Sequence, residues 1–410
     1  MRLTVARLGH LGDGIADGPD GPVYVPMALP DEVVEGAVSG NRMDAAKIVT
    51  PAPSRVRAPC PHYRACGGCQ MMHATEDFTA RWKAGVAAAA LAAHGIAAEV
   101  PPAEAVPPAS RRRAVLAGRR TKAGTLIGFH ARASGVIVAV SDCLVLHPAL
   151  MALVPRLGPI VAAGASRKAE VALALTLTDT GIDLAVTGGK PLDESLFQTL
   201  AAEAAALDLA RLSWDGDVVA ERRVPMLRIG RAPVPLPPGA FLQAAAEGEA
   251  ALVALVRDAV GPARRVVDLF CGLGTFTLPL AETAEVHGVE ADGRLTAALD
   301  AGWRRAEGLK RVTTEARDLF RRPLMPDELK RADAVVIDPP RAGAEAQCRE
   351  LARSQVPVIA AVSCNPVTFA RDAAILIEGG YRLDWLRVID QFRFSVHVEL
   401  AARFSRGHIG

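Results

Sequence analysis

The stretch VVDLFCGLGTFTLPLA, Val266–Ala281, decides the fold. An apolar strand runs into a glycine turn and then a helical segment, the order in which a parallel strand hands over to a crossover helix. Gly272 and Gly274 let the backbone approach a ligand closely, and Asp268 closes the strand. Further on, Glu290 ends the next strand in VHGVE, where a carboxylate accepts hydrogen bonds from both hydroxyls of a ribose. The third glycine of the dinucleotide fingerprint is missing, and Thr277 stands in its place. A pyrophosphate on the helix N-terminus is therefore disfavoured. Adenosine without phosphates, as in S-adenosylmethionine, fits the turn better.

Around this turn, residues 237–410 repeat strand, turn and helix. The runs RRVVDLF, EVHGVE, RVTTEA, DAVVID and VPVIAAVSC predict a mostly parallel sheet, closed at one end by an antiparallel pair, YRLDWLRVID and SVHVELAARF. Residues 1–52 are short alternating runs broken by Gly, Asp and Pro, the pattern of a small all-β barrel. Residues 53–236 begin at a Pro-rich joint, continue through an Ala-rich helical segment (Thr75 to Gly95) and mix strands with helices up to RAPVPLPPG. The expected fold class is α/β, with a β-barrel and a mixed α+β unit ahead of the sheet. No stretch reaches the ~20 apolar residues of a membrane span, and the first residues lack a signal core, so the expected location is the cytoplasm, with no membrane partner. Net charge is only +2, so affinity for nucleic acid has to come from local patches.

The chemistry lies at two strand ends. AVVIDPPRAG puts Asp338 on a stiff loop at the carboxyl edge of the sheet, where open α/β sheets place their sites. Asp-Pro-Pro alone also fits an enzyme that methylates exocyclic amines. The fifth strand argues against that, because it ends in AVSCNPVTFARD. Cys364 sits at the strand end, Asn365 suits a helix cap and Pro366 the first helical turn. The positive end of the helix dipole favours a thiolate there, whereas Cys271 and Cys348, in apolar or helical settings, read as structural. A nucleophilic thiol beside a methyl donor suits a pyrimidine carbon: addition at C6 makes C5 nucleophilic, and a base must then remove the C5 proton. Glu399, in an otherwise apolar strand, is the candidate base, with His397 expected on the same strand face.

Two further patterns stand apart. PCPHYRACGGCQ holds Cys60, Cys66 and Cys69, and Cys143 is the one other cysteine of residues 53–236. Reduced, clustered cysteines point to metal, and seven in all argues against a closed disulfide frame. By spacing alone, zinc and a [4Fe–4S] cluster stay equally open. SRRRAVLAGRRTKAG places Arg111, Arg112, Arg113, Arg119, Arg120 and Lys122 on an expected hairpin, a local basic patch for RNA phosphates and unstacked bases.

Taken together, DLFCGLGTF, DPPRAG, SCNP and HVE resemble the bacterial RNA uracil-C5 methyltransferases, over essentially the whole chain. The resemblance implies a class I S-adenosylmethionine-dependent fold, a shortened TRAM-type oligonucleotide-binding barrel over 1–52 and a helix near 75–103 packing on the catalytic unit. It implies Cys364 as nucleophile, Glu399 as proton acceptor and Asp338 beside the uracil. The cofactor would be held by Gln243, Phe270, Gly272, Thr275, Glu290, Asp318 and Asp338. Thr275 stands where some relatives carry Asn, and Leu400 follows the glutamate where Thr is common. The three-plus-one cysteines resemble the ribosomal-RNA branch, which carries a [4Fe–4S] cluster, so 23S ribosomal RNA is the expected substrate; separately, a monomer with no obligate protein partner is expected. Two other readings stand beside it: a non-catalytic or redox-sensing RNA-binding protein, and a transfer-RNA methyltransferase.

Overall fold

The computed structural model describes residues 1–407. At its centre is a sheet whose five parallel strands are β1 (Arg265–Leu269), β2 (Glu285–Glu290), β3 (Val312–Ala316), β4 (Ala334–Ile337) and β5 (Val358–Ser363). Two antiparallel strands follow, β6 (Arg382–Asp390) and β7 (Glu399–Ser405). The order across the sheet is β3-β2-β1-β4-β5-β7-β6, with a two-residue strand, Glu104–Ala105, beyond β6. The order reverses between β1 and β4, the switch point at which loops splay apart and leave a crevice. Helices α2 (Ala246–Val260) and α3 (Gly293–Arg305) cover one face, with Leu252, Val256 and Leu299 packed on Val266, Val336 and Ala360. The hairpin Met226–Ile229/Ala232–Pro235 joins the same core through Leu227, Ile229 and Val234.

The other face is covered by α4 (Glu345–Arg353), α5 (Pro366–Glu378) and a helix from far upstream, α1 (Glu76–Ala92). Thr79, Lys83, Ala87 and Leu91 recur every fourth residue and form the buried stripe of α1. Thr75 caps it, accepting from Phe78 N.

The first 50 residues form a five-stranded antiparallel sheet around Val5, Val23, Val25, Val34 and Met43. Seven strands between Arg113 and Glu221 form a second sheet, antiparallel except where Gly181–Thr187 meets Arg211–Trp214. The 390s segment that precedes β7 is irregular, and residues 391–398 act as a strap between β6 and β7. Lys83 Nζ, wholly buried, donates to Asp390 Oδ1 at 2.6 Å, to His397 O at 2.8 Å and to Phe392 O at 3.4 Å. None of the described helices is long and apolar enough to cross a membrane.

Breaking a buried ion pair from one side strands the other charge, at about 3–5 kcal/mol. Lys83→Met is therefore expected to lower the melting midpoint sharply, and Lys83→Met/Asp390→Leu to recover much of the loss in the same thermal scan.

Candidate functional site

The parallel register aligns the ends of β1 and β4, with Leu269 opposite Ile337 and Asp338 N donating to Leu269 O at 3.3 Å. Phe270 and Asp338 therefore leave the sheet side by side at its carboxyl edge. In the antiparallel ladder of β5 and β7, Ser363 pairs with Leu400. One further step of the same register sets Cys364 opposite Glu399, and opposite residues of such a ladder share a face. Asn365 caps α5 by accepting from Val367 N at 3.1 Å, and its Nδ2 donates to Arg341 O at 2.8 Å. Pro366 fills the first helical position.

The electrostatics of this edge differ from the expectation of a dipole-activated thiolate. Burial, then the charges of Glu399 and Asp338, push the Cys364 thiol up to about 11, against a smaller pull from Arg341. Burial raises Glu399 to about 7, opposed by the hydrogen bond that Gln391 Nε2 donates to its Oε2 at 2.8 Å. Asp338 is raised well above the carboxylate range by burial and by Glu399. Three acids thus hold their protons more tightly than in water because they are crowded and dry. His397 departs from its predicted place: β7 begins only at Glu399, so His397 lies in the strap, its ring edge-on to Phe392 at 5.8 Å and its carbonyl held by Lys83. Burial lowers its pKa.

The glycine turn follows β1. Phe270 and Gly274 both take positive φ, +61° and +90°. A Cβ on Gly274 would stand 2.9 Å from Leu299, whereas one on Gly272 would meet nothing within 4 Å. Gly272 therefore faces open space, as a backbone approached by a ligand should. Glu290 Oε2 accepts from Gly272 N at 3.2 Å and Oε1 from Asp292 N at 3.0 Å, so its carboxylate is oriented with lone pairs to spare. Past β3, Asp318 Oδ1 accepts from Phe320 N at 3.0 Å, and the Phe320 ring packs on Phe270 with centroids 5.5 Å apart. Thr275 lies half-buried in the turn, and Gln243 is buried with its Oε1 accepting from Gln391 at 2.7 Å.

Two residues not picked out as ligands lie buried beneath the turn. Asp268 is fully buried; its Oδ2 accepts from Thr277 Oγ1 at 2.6 Å, and its Oδ1 has no partner. Burial raises it to about 7, with Asp338 and Glu290 adding to the rise. An orphaned carboxylate oxygen near the Glu290 carboxylate and the Phe270–Phe320 pair would fit an adenosyl amino acid, whose ammonium group would answer Asp268. Thr277 is thus the partner of Asp268, beyond being a missing third glycine.

The four candidate metal cysteines are half-buried free thiols. Cys66 and Cys69 are both raised, first by burial and then by Cys143 and Cys60, and Cys69 reaches about 12. The four thiols therefore lie close together, with the half-buried Arg111 guanidinium near Cys69 and Cys143. Among the described residues no group of three or more His, Cys, Asp or Glu converges tightly enough for a single metal ion. A tetrahedral zinc draws its sulfurs to about 2.3 Å from one centre. A four-iron cluster would instead take one thiolate at each of four corners.

The basic residues divide. Arg111 turns inward over Phe392 at 5.9 Å, and Arg112 is tied to Glu249 at 2.6 Å. Arg113 lies over the exposed Phe241 ring at 5.3 Å. Arg119, 3.5 Å from Glu170, stands with Arg120 and Lys122 toward the outer end of the hairpin Arg113–Thr121/Gly124–His130.

A family model described as tRNA (Uracil-5-)-methyltransferase matches residues 304–406. An RNA methyltransferase of Brucella suis is 46% identical over 99% of this chain and 98% of its own. The 23S rRNA (uracil(1939)-C(5))-methyltransferase RlmD of Chromohalobacter salexigens is 34% identical over 97% of this chain and 87% of its own. The solved Pyrococcus abyssi tRNA (uracil-54, C5)-methyltransferase, in complex with S-adenosyl-L-homocysteine, has the same fold: TM-score 0.77 at 24% identity, covering 98% of this chain and 99% of that one.

Asp268 sets a stability test. Its folded pKa lies above its unfolded one, so its contribution is greatest below the unfolded value near 3.8 and is lost as pH rises through about 7. Asp268→Asn is expected to melt higher than the parent protein at pH 8 without cofactor, with the gap closing toward pH 4, and to bind cofactor more weakly by calorimetry.

Proposed function

We propose, for a chain that belongs to the family of RNA uracil-C5 methyltransferases, that it methylates C5 of a uridine in 23S ribosomal RNA. The observation that carries the chemistry is the β5–β7 register, which sets a thiol opposite a buried carboxylate at the sheet edge. S-adenosylmethionine, held by Gln243, Asp268, Phe270, Glu290 and Asp318, supplies an electrophilic methyl group there. Gly272 and Thr275 shape the turn around it.

Uracil C5 is a poor nucleophile while the ring is conjugated. The Cys364 sulfur adds to C6, the double-bond electrons move toward O4, and C5 becomes able to take a methyl group. C5 then carries both a methyl group and its original proton. Glu399 removes that proton, the C5–C6 double bond re-forms, and the Cys364 sulfur leaves as thiolate. The ring loses one proton and gains one methyl group. Asp338, whose proton affinity burial and Glu399 both raise, lies beside the uracil as a hydrogen-bonding partner.

The four thiols support the ribosomal branch of the family and a resident [4Fe–4S] cluster held by Cys60, Cys66, Cys69 and Cys143. Residues 1–52 act as the RNA-binding TRAM-type unit. Arg119, Arg120 and Lys122 neutralise phosphate on the outer face.

RNA carrying 5-fluorouridine has no C5 proton to surrender, so the wild-type protein with cofactor should form a gel-stable adduct that Cys364→Ala abolishes. A folded, cofactor-loaded protein that forms none with ribosomal RNA overturns the reading. Both Cys364 and Glu399 work deprotonated, so the rate should climb with pH through about 7 and beyond. Glu399→Gln removes a charge that raises the thiol. Adduct formation should then move to lower pH while release stalls. Protein purified without oxygen should be brown and carry iron lost on Cys→Ala change at any of the four cysteines; zinc with no visible absorbance overturns the cluster. Loss of 5-methyluridine from 23S ribosomal RNA, and not from transfer RNA, in cells lacking the protein tests the substrate.

A further inference from the structure

Two side chains of the site share one amide nitrogen. Gln391, first residue of the strap, is buried, and its Nε2 donates to Gln243 Oε1 at 2.7 Å and to Glu399 Oε2 at 2.8 Å. A primary amide has two N–H groups, and both are used here, which fixes the orientation of the side chain. Its Oε1 is left buried with no partner. The amide fits only because α2 passes with a glycine: a Cβ on Gly248 would stand 2.7 Å from Gln391 Cβ and 3.2 Å from Oε1. The backbone is anchored next door, where Asp390 meets Lys83.

We propose that Gln391 is a positioning residue that holds the base Glu399 in register with the cofactor-side Gln243 and answers a change in the protonation of Glu399. This rests on the reading of Glu399 as the proton acceptor. While Glu399 is a carboxylate, Nε2 donates to it. Once Glu399 has taken the C5 proton, its O–H becomes a donor, and a half-turn of the amide presents the unpartnered Oε1 to accept it. Gln243 must turn as well, because two amide oxygens would otherwise face each other. The amide turns break no covalent bond; the bonds that change are those of the elimination itself, in which Glu399 takes the C5 proton, the C5–C6 double bond re-forms and the Cys364 sulfur leaves as thiolate. The other titratable groups facing Glu399 are Asp338 on the β4 loop and Cys364 at the end of β5. Gln391 contributes the hydrogen bond that opposes the rise of Glu399.

Gln391→Met keeps the length and loses the donor. With 5-fluorouridine RNA, where no proton is removed, adduct formation should stay near the wild-type rate. With natural uridine, release of the covalent intermediate should slow about tenfold, the worth of one hydrogen bond to a charged group. The acid limb of the release rate should move up from about 7. Gln391→Asn, one methylene too short to reach both acceptors, should show the same split and carries the test if the Met variant melts early. Adduct formation and release falling together with an unmoved limb, or no change in either, overturns the proposal. Absence of any adduct with the wild-type protein overturns the uracil reading instead. Isotope-edited infrared titration of Glu399 then still reports whether Gln391 lowers its pKa.

Discussion

The ammonium group of Lys83 is the contact on which the site's geometry depends. It is wholly buried and spends its three protons on Asp390 and on the carbonyls of Phe392 and His397. A strap without helix or strand has to satisfy its backbone groups elsewhere. Distant parts of the chain contribute: Gln70 N and Met71 N donate to Phe394 O at 2.8 and 2.9 Å, and Arg393 donates to Val106 O at 2.9 Å. Val396 packs with Leu8, Leu29 and Met71. The strap ends where Glu399 begins, so the acid's position is set by residues from the first sheet, the cysteine segment and α1 together.

At the opposite side of the strap, electrostatics explain why a helix terminus is not enough to make a thiolate. Such a terminus is worth about 0.3–1 kcal/mol in ordinary settings, less than one pKa unit. Burial and two carboxylates act the other way on Cys364 and prevail, taking it to about 11. Asp268, Asp338, Glu399 and Cys364 lie close together with few fixed cations, and burial raises the proton affinity of all four. A cationic ligand would lower those pKa values. Such an edge suits a positively charged guest.

What could be read from the sequence was local. The glycine turn, Asp-Pro-Pro and Cys-Asn-Pro each carry their geometry within a few residues, and the structure places them at neighbouring strand ends. What could not be read was long-range. Gln391 acquires meaning only from Gln243, and Arg112 only from Glu249. SVHV alternates as a strand does and predicts an earlier start for β7; the strap's bonds to Lys83 and to the cysteine segment override that propensity. Lys83 did leave a trace, since Thr79, Lys83, Ala87 and Leu91 share one stripe, and a lysine within a buried stripe announces a partner.

That cross-linking also changes how the cysteine segment relates to the chemistry. Between Thr50 and Glu76 there is no helix or strand, and the segment's order comes from turns and from bonds to other parts. Gly67 N donates to His130 O at 2.9 Å, and the two residues after Cys69 donate to the strap. The thiols stand apart from Cys364 in sequence and in role, yet the backbone that carries them is the same backbone that holds Phe394 in its positive-φ turn. Loosening the segment removes two of the strap's hydrogen bonds at once. The strap in turn holds Glu399 through Gln391 and the start of β7. Order in the four-thiol region is thus a condition for placing the base, even though no thiol of that region touches it.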